Sequence, residues 1–311
     1  MKAWQYMGNG VPIALNEVEA LTPGPGEVVI DVKAAGLCHS DVMYMEVGDG
    51  TIPFLPTTQG HENAGIISAV GEGVTGWSVG YAVGVCSSGV RPPLGMFAHG
   101  GFADQLVATA EDLARVPAGL DLSLAALATD AGMTSYHAII KEGGARAGMK
   151  VGVIGFGGLG QIGARAAVVA GAEVHVAEMK RDVWDLAKQA GVVPVVEDAD
   201  EWAGQDLDLV VDYAGFDTTQ KALTAVRRGG TVVQVGLGRP TFTVATPTLL
   251  GRRLIGSLGG TVEDIEEVFE LLLNKDIEPA FEEIAFGQIG EGLERLKAKR
   301  VTGRLVARFG D

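Results

Sequence analysis

Cysteine is nearly missing from this chain: there are two in 311 residues, Cys38 and Cys86. Two thiols cannot staple a secreted disulfide scaffold, nor build a metal site of four cysteines. Basic runs are missing as well. None is longer than Arg252-Arg253, and 24 Lys and Arg against 39 Asp and Glu leave a net charge of −15. A nucleic-acid backbone or an anionic membrane surface calls for a clustered cationic face, so both partner classes are excluded. Long apolar runs are also absent. Mean hydropathy is +0.23, yet the longest uncharged stretch, 73–90, is broken by Gly, Ser and Thr and does not read as a membrane span. The first ten residues, MKAWQYMGNG, lack the apolar core of a signal peptide. The expectation is a soluble, cytoplasmic protein.

What the chain has in excess is glycine, 46 residues, roughly twice the usual share. These glycines follow no G-X-Y period and sit among Val, Ile and Ala, which excludes collagen and low-complexity disorder. The length predicts two domains. From Met1 to about Pro117 the pattern is β-like: residues 26–36, 64–74 and 100–117 alternate apolar and polar side chains between glycine-rich turns. An all-β, barrel-like domain with functional loops is expected there. Helical spacing then appears over 123–128 and 130–140, with Asp130 placed as a possible N-cap. After Lys150, strands alternate with helices. Residues 150–172 read as a short strand, a glycine turn and a helix, with further strands expected at 173–178, 192–196, 207–215 and 229–238 and helices at 181–191 and 218–228. That alternation implies a doubly wound parallel sheet. A helix over 262–277, then a further helix and strand, complete the chain.

Within that series Gly155-Phe156-Gly157-Gly158-Leu159-Gly160 fits G-x-G-x-x-G, and Glu178 ends the following strand. Strand, glycine turn, helix and acid together form the dinucleotide-binding fingerprint. Gly155 permits the tight turn, Gly157 the approach of backbone N–H groups to a pyrophosphate, and Gly160 close packing of helix on strand. Glu178 would accept hydrogen bonds from the adenosine ribose and repel a 2′-phosphate, favouring NAD(H) over NADP(H). Lys180 and Arg181 pull the other way, as cations able to hold that phosphate. The alternative is a glycine-rich turn that packs a helix and binds nothing.

The β region carries Cys38-His39-Ser40-Asp41 and then Gly60-His61-Glu62. A thiolate, an imidazole and a carboxylate suit Zn²⁺. Spacing alone leaves the matter open, because no CxxC or HxxxH pair is present and a single Cys also serves as a small core hydrophobe.

At these residues the chain resembles the zinc-dependent medium-chain alcohol dehydrogenases. GHENAGIISAVGEGV is similar to that family's zinc signature, and AAGLCHSD to its first-ligand loop. The resemblance covers nearly the whole chain. It implies a GroES-like β-barrel catalytic domain over 1–130 with a return over 259–311, and a Rossmann domain over 131–258. It implies one catalytic Zn²⁺ held by Cys38, His61 and Asp130, with Glu62 as an alternate ligand and Asp41 behind His61. Ser40 matches the residue that contacts the substrate oxygen and passes on its proton. His39, Thr134 and Arg304 match cofactor positions, Arg304 on the phosphates, and Arg181, Val235 and Leu237 are further residues expected at the cofactor. Met43, Leu55, Cys86, Met96 and Phe97 are expected around an apolar substrate, with Leu237 near them. His99, His137 and His175 are read as structural.

Two departures stand out. The histidine that many members carry five residues after the first ligand is Met43 here, so a proton relay runs through Ser40, ribose and water or through another group. Members with a structural zinc carry a four-cysteine lobe where this chain runs from Cys86 through Val90 into Arg91-Pro92. The expected activity is hydride transfer between an alcohol, aldehyde or ketone and NAD(H), by a homodimer or homotetramer. The alternatives are a zinc-independent reductase of an activated C=C or C=N bond on the same fold, and a non-catalytic nucleotide-binding protein.

Overall fold

A computed structural model describes residues 1–47, 52–89 and 92–310. The chain divides into two compact units. One comprises Met1–Ala131, Thr261–Leu273 and Phe281–Asp311, the other Gly132–Gly260 and Asn274–Ala280. The C-terminal return is therefore interrupted, with its short middle segment counted in the second unit.

The first unit is organised around strand Glu27–Leu37, whose near-continuous burial reflects apolar neighbours on both faces. One edge pairs antiparallel with Glu62–Val70, from Val28 opposite Val70 to Gly36 opposite Glu62. The other edge is shared, Gln105–Thr109 taking its first half and Arg304–Arg308 its end. The seven-stranded sheet is completed by Ala82–Val85, Leu113–Arg115 and Phe281–Ala285. Val28, Ile30, Ile67, Phe102 and Leu106 form the centre of its core. A small sheet joins Ala14–Glu17, Lys2–Tyr6 and Thr57–Thr58.

Helix His39–Val47 lies where only strands and loops are expected from the sequence. It mixes polar and apolar residues without a clear stripe, so periodicity does not mark it. Its start is set locally: Asp41 accepts the backbone N–H of Cys38 at 2.9 Å, as the N3 residue of a capping box does. Asp130 is not an N-cap. Helix Leu122–Leu127 begins at Asp121, whose side chain accepts the N–H of Ser123. Asp130 lies beyond it in the π-helical turn Ala128–Gly132.

The second unit is the doubly wound sheet. Its order is Val195–Val196, Glu173–Ala177, Lys150–Ile154, Leu207–Asp212, Val226–Gln234, Arg253–Gly256, all in parallel pairs. Val151, Val153, Val210, Val211, Val232 and Val233 are wholly buried, as expected of strands covered on both faces. Strand order reverses beside Lys150–Ile154, and the crevice at the carboxyl ends there is where such sheets bind ligands. Several boundaries differ from expectation, two of them for local reasons. Helix Thr219–Ala225 stops before Val226-Arg227-Arg228, which open the next strand, because β-branched Val226 and the exposed arginines pair as readily as they coil. Residues 192–196 supply a strand of two residues only.

Candidate functional site

Cys38, His61 and Asp130 meet in the first unit, their ligand atoms all within 4.8 Å of one another. Each comes from a different element. Cys38 follows strand Glu27–Leu37, His61 precedes strand Glu62–Val70, and Asp130 is projected by the π-helical turn, a local irregularity that often marks functional positions. Thr129 in that turn anchors it, its hydroxyl accepting the backbone N–H of Asn63 at 3.0 Å.

The imidazole of His61 is fully oriented. Nδ1 lies 3.1 Å from Asp41 Oδ1, so Nε2 faces the cluster, 3.3 Å from Asp130 Oδ2 and 3.3 Å from Ser40 Oγ. Burial pushes the pKa of His61 down, but Asp41 and Asp130 together outweigh it and hold it well above the ordinary imidazole value. With Asp41 on Nδ1 and Asp130 facing Nε2, positive charge at the ring balances both carboxylates, whether Nε2 carries a proton or a metal ion. A thiol, an imidazole with its far nitrogen fixed and a carboxylate fit Zn²⁺, and three ligands leave a fourth position for substrate.

Behind the cluster lies a buried ion pair. Arg304 Nη2 is 2.7 Å from both Glu62 Oε2 and Asp130 Oδ2, and its Nε is 3.0 Å from the same Glu62 oxygen. The register explains the meeting. Leu305 lies opposite Leu37, which brings Arg304 beside Cys38, and Glu62 lies opposite Gly36. A Cβ on Gly36 would stand 2.3 Å from the Glu62 carboxyl carbon, so this glycine makes the room the glutamate occupies. Burial raises the Glu62 carboxyl to about 7, with Arg304 opposing, and Glu62 Oε1 is buried without a hydrogen-bond partner, as an alternate metal ligand would be. The guanidinium of Arg304, which the resemblance sets on the cofactor phosphates, is 4% exposed and directed at Glu62 and Asp130, where its strand register carries it.

The remaining residues expected around the substrate are scattered in their exposure. Met43 and Met96 are half-buried, while Leu55 and Phe97 are over two-fifths exposed. Phe97 lines a cavity of about 460 Å³ with Phe54, His99 and Leu106, whose walls do not include the other four. Cys86 is buried, its backbone N–H bonded to the Asp112 carbonyl, and burial pushes its thiol up to about 11. That is the environment of a core thiol. Of the stretch without a four-cysteine lobe, Val90 and Arg91 fall outside the described residues.

The glycine turn in the second unit follows strand Lys150–Ile154 and opens helix Gly158–Val169. Gly155 has φ +85°, a Cβ on Gly160 would lie 1.9 Å from the Gly155 carbonyl oxygen, and a Cβ on Gly157 would meet nothing within 4 Å. The first and third glycines are thus required by the backbone, while Gly157 leaves open space at the helix start, beside Gly158 and Leu159. Glu178 reaches the turn, accepting the N–H of Phe156 at 2.7 Å. Thr134 is buried in helix Met133–Tyr136. Val235 and exposed Leu237 lie past the end of strand Val226–Gln234. In the first unit, His39 is exposed at the head of its helix. His175 bonds Glu173 within its strand, His137 faces Glu142 at 3.6 Å, and His99 accepts the Thr58 N–H.

Gly36 was not singled out from the sequence. Its only signal is a glycine two residues before Cys38 in an otherwise strand-like run.

Comparison with known proteins places these features in company. Residues 24–118 match the alcohol dehydrogenase GroES-like domain and residues 158–274 the zinc-binding dehydrogenase domain. An alcohol dehydrogenase of Geobacillus stearothermophilus is 31% identical, the match covering 95% of this chain and 96% of that protein. The structure of acetophenone reductase from Geotrichum candidum in complex with NAD is 30% identical with a TM-score of 0.89, covering 100% of this chain and 97% of the other. The alcohol dehydrogenase of the archaeon Aeropyrum pernix is 26% identical with a TM-score of 0.89, covering 99% and 100%.

Proposed function

The chain belongs to the zinc-binding, medium-chain alcohol dehydrogenase family, and from that premise we propose that its hydride transfer depends on one Zn²⁺ held by Cys38, His61 and Asp130. Membership makes it an NAD(P)-dependent dehydrogenase of alcohols. The observation that carries the zinc dependence is the convergence of those three ligand atoms about an imidazole already fixed by Asp41.

What the ion supplies when bound is Lewis acidity, which lowers the pKa of an alcohol hydroxyl or polarises a carbonyl. The protein's own groups do the rest. Ser40, beside His61 Nε2, takes the hydroxyl proton and, being both donor and acceptor, passes its own onward. With Met43 following, that proton leaves through ribose and water. Cys38 is the thiolate ligand, and Glu62 stands behind the set as an alternate ligand. Nucleotide is held by the glycine turn, with Glu178 on the adenosine ribose and His39, Thr134, Val235 and Leu237 as further contacts. Bound nicotinamide supplies the hydride acceptor. The substrate is an apolar alcohol, aldehyde or ketone, touched by Met43, Leu55 and Phe97. The protein works in the cytoplasm as a homodimer or homotetramer, which analytical ultracentrifugation checks.

The test is a panel of alcohols, aldehydes and ketones followed at the reduced-nicotinamide absorbance, with and without a chelator. Turnover should vanish on chelation, return with Zn²⁺ and be absent from Cys38→Ser. Undiminished turnover in a zinc-free protein would overturn the reading.

A further inference from the structure

Beside Glu178 stands a second carboxylate with a cation in its grip. Strand Val195–Val196 pairs parallel with Glu173–Ala177, Ala177 opposite Val196, and the Glu178 N–H continues the ladder to the Val196 carbonyl at 2.9 Å. Glu178 and Glu197 therefore leave adjacent strands at the same level of the carboxyl edge. Glu197 is held there by its neighbours: Glu201 Oε1 accepts the N–H of Glu197 at 3.1 Å and of Asp198 at 3.2 Å, part of the capping box that starts the turn Ala199–Trp202.

Arg181 is paired with Glu197. Its Nε donates to Glu197 Oε2 at 3.2 Å and its Nη2 to the same oxygen. Its guanidinium carbon stands 5.5 Å from the centre of the Trp184 ring. Trp184 in turn donates its indole N–H to the Glu178 carbonyl at 2.8 Å, so Arg181, Trp184, Glu178 and Glu197 form one linked group. The Glu178 carboxylate is itself set by the N–H groups of Phe156 and Lys180, each at 2.7 Å.

A 2′-phosphate carries close to two negative charges near neutrality, and dinucleotide folds that accept it do so with an arginine near this strand end. We propose that Glu197 is a second determinant of cofactor choice, which favours NAD over NADP by withholding Arg181 from a 2′-phosphate and by adding a second carboxylate to the place that phosphate would occupy. The inference rests on the reading of the glycine turn and Glu178 as the adenosine site. Removing the charge of Glu197 frees the guanidinium and lifts one repulsion. The pair is exposed, Arg181 at 74% and Glu197 at 50%, so the gain is modest: an NADP affinity about two- to fivefold higher.

The experiment measures dissociation constants of NAD⁺ and NADP⁺ by isothermal titration on the zinc-loaded, full-length chain. Glu197→Gln should tighten NADP⁺ about two- to fivefold and leave NAD⁺ within about 1.5-fold. Arg181→Gln alone should leave NADP⁺ unchanged, because the arginine is already engaged, whereas Glu197→Gln with Arg181→Gln should lose most of the gain. A merely structural role for Glu197 would move both cofactors together and lower the melting temperature. Glu178→Gln separates the two readings. If it shifts the NADP/NAD ratio while Glu197→Gln does not, the inference about Glu197 is wrong and the adenosine site stands. If neither variant shifts the ratio, both are wrong.

Discussion

Asp41 Oδ1 lies 3.1 Å from His61 Nδ1, and the other oxygen of the same carboxylate accepts the backbone N–H of Cys38 at 2.9 Å. One side chain thus fixes two of the proposed ligands, the ring of one and the loop of the other. Asp41→Asn retains an oxygen for one of the two contacts but removes the charge that holds the ring. Its zinc affinity should fall about 10- to 100-fold, as for other groups that orient ligands from behind. Competition with a chromogenic chelator measures this. An unchanged affinity would show that His61 is held by something other than Asp41.

Arg304 joins Glu62 and Asp130 in a buried, charge-assisted arrangement. Removing one member of such a set leaves the others uncompensated, so Arg304→Met should destabilise the metal-free protein by about 3–5 kcal/mol. Adding Glu62→Gln to it should recover part of the loss. Urea denaturation of the metal-free chain reads both. Should Arg304→Met lose less than about 1 kcal/mol, the pair is not what holds that side of the site.

The contrast between Glu178 and Arg304 explains how much of this could be read in the sequence. Glu178 follows a strand, a glycine turn and a helix in continuous order, and short-range pattern suffices to set it at the turn. The parallel sheet was legible in the same way, whereas Cys38 and His61 stood out as candidate ligands only through the family resemblance of their motifs, since spacing alone left the metal reading open. The position of Arg304 depends on strand register across more than two hundred residues, and a one-residue slip would point it elsewhere. Helix His39–Val47 is set by one side chain-to-backbone bond from Asp41 and has no apolar stripe. The role of Gly36 depends on which side chain its neighbouring strand places above it. Long-range register and the absence of a Cβ leave little trace in composition or periodicity.

Gly157 and Gly160 occupy one motif for different reasons, and alanine separates them. At Gly160 a Cβ would sit 1.9 Å from the Gly155 carbonyl oxygen, a contact that forces the helix off the strand. Gly160→Ala should lower stability by several kcal/mol, roughly the penalty of an overpacked core position or more. At Gly157 φ is −83° and a Cβ meets nothing, so Gly157→Ala should melt within about 2 °C of the parent, as surface changes do. Its methyl would stand where the pyrophosphate approaches, and NAD⁺ affinity should drop about tenfold or more. Equal nucleotide affinity in Gly157→Ala and the parent would argue against phosphate binding at this turn.

The Cys86 thiol is buried and its pKa is raised from 9.0 to about 11, burial being the main cause. In the unfolded chain the thiol ionises near its ordinary value, while the fold holds it neutral. For an acid whose pKa is raised on folding, stability is intact below the unfolded value and declines as pH climbs toward the folded one. The contribution should therefore fade between about pH 9 and pH 11, amounting to about 2 kcal/mol at the upper end. Cys86→Ala should lose correspondingly less stability across that window than the parent, as followed by urea unfolding at stepped pH. Below pH 9 the native thiol should also resist alkylation by iodoacetamide, since the neutral form is the weak nucleophile. Rapid modification of Cys86 at neutral pH in the folded protein would show that the thiol is neither shielded nor held protonated.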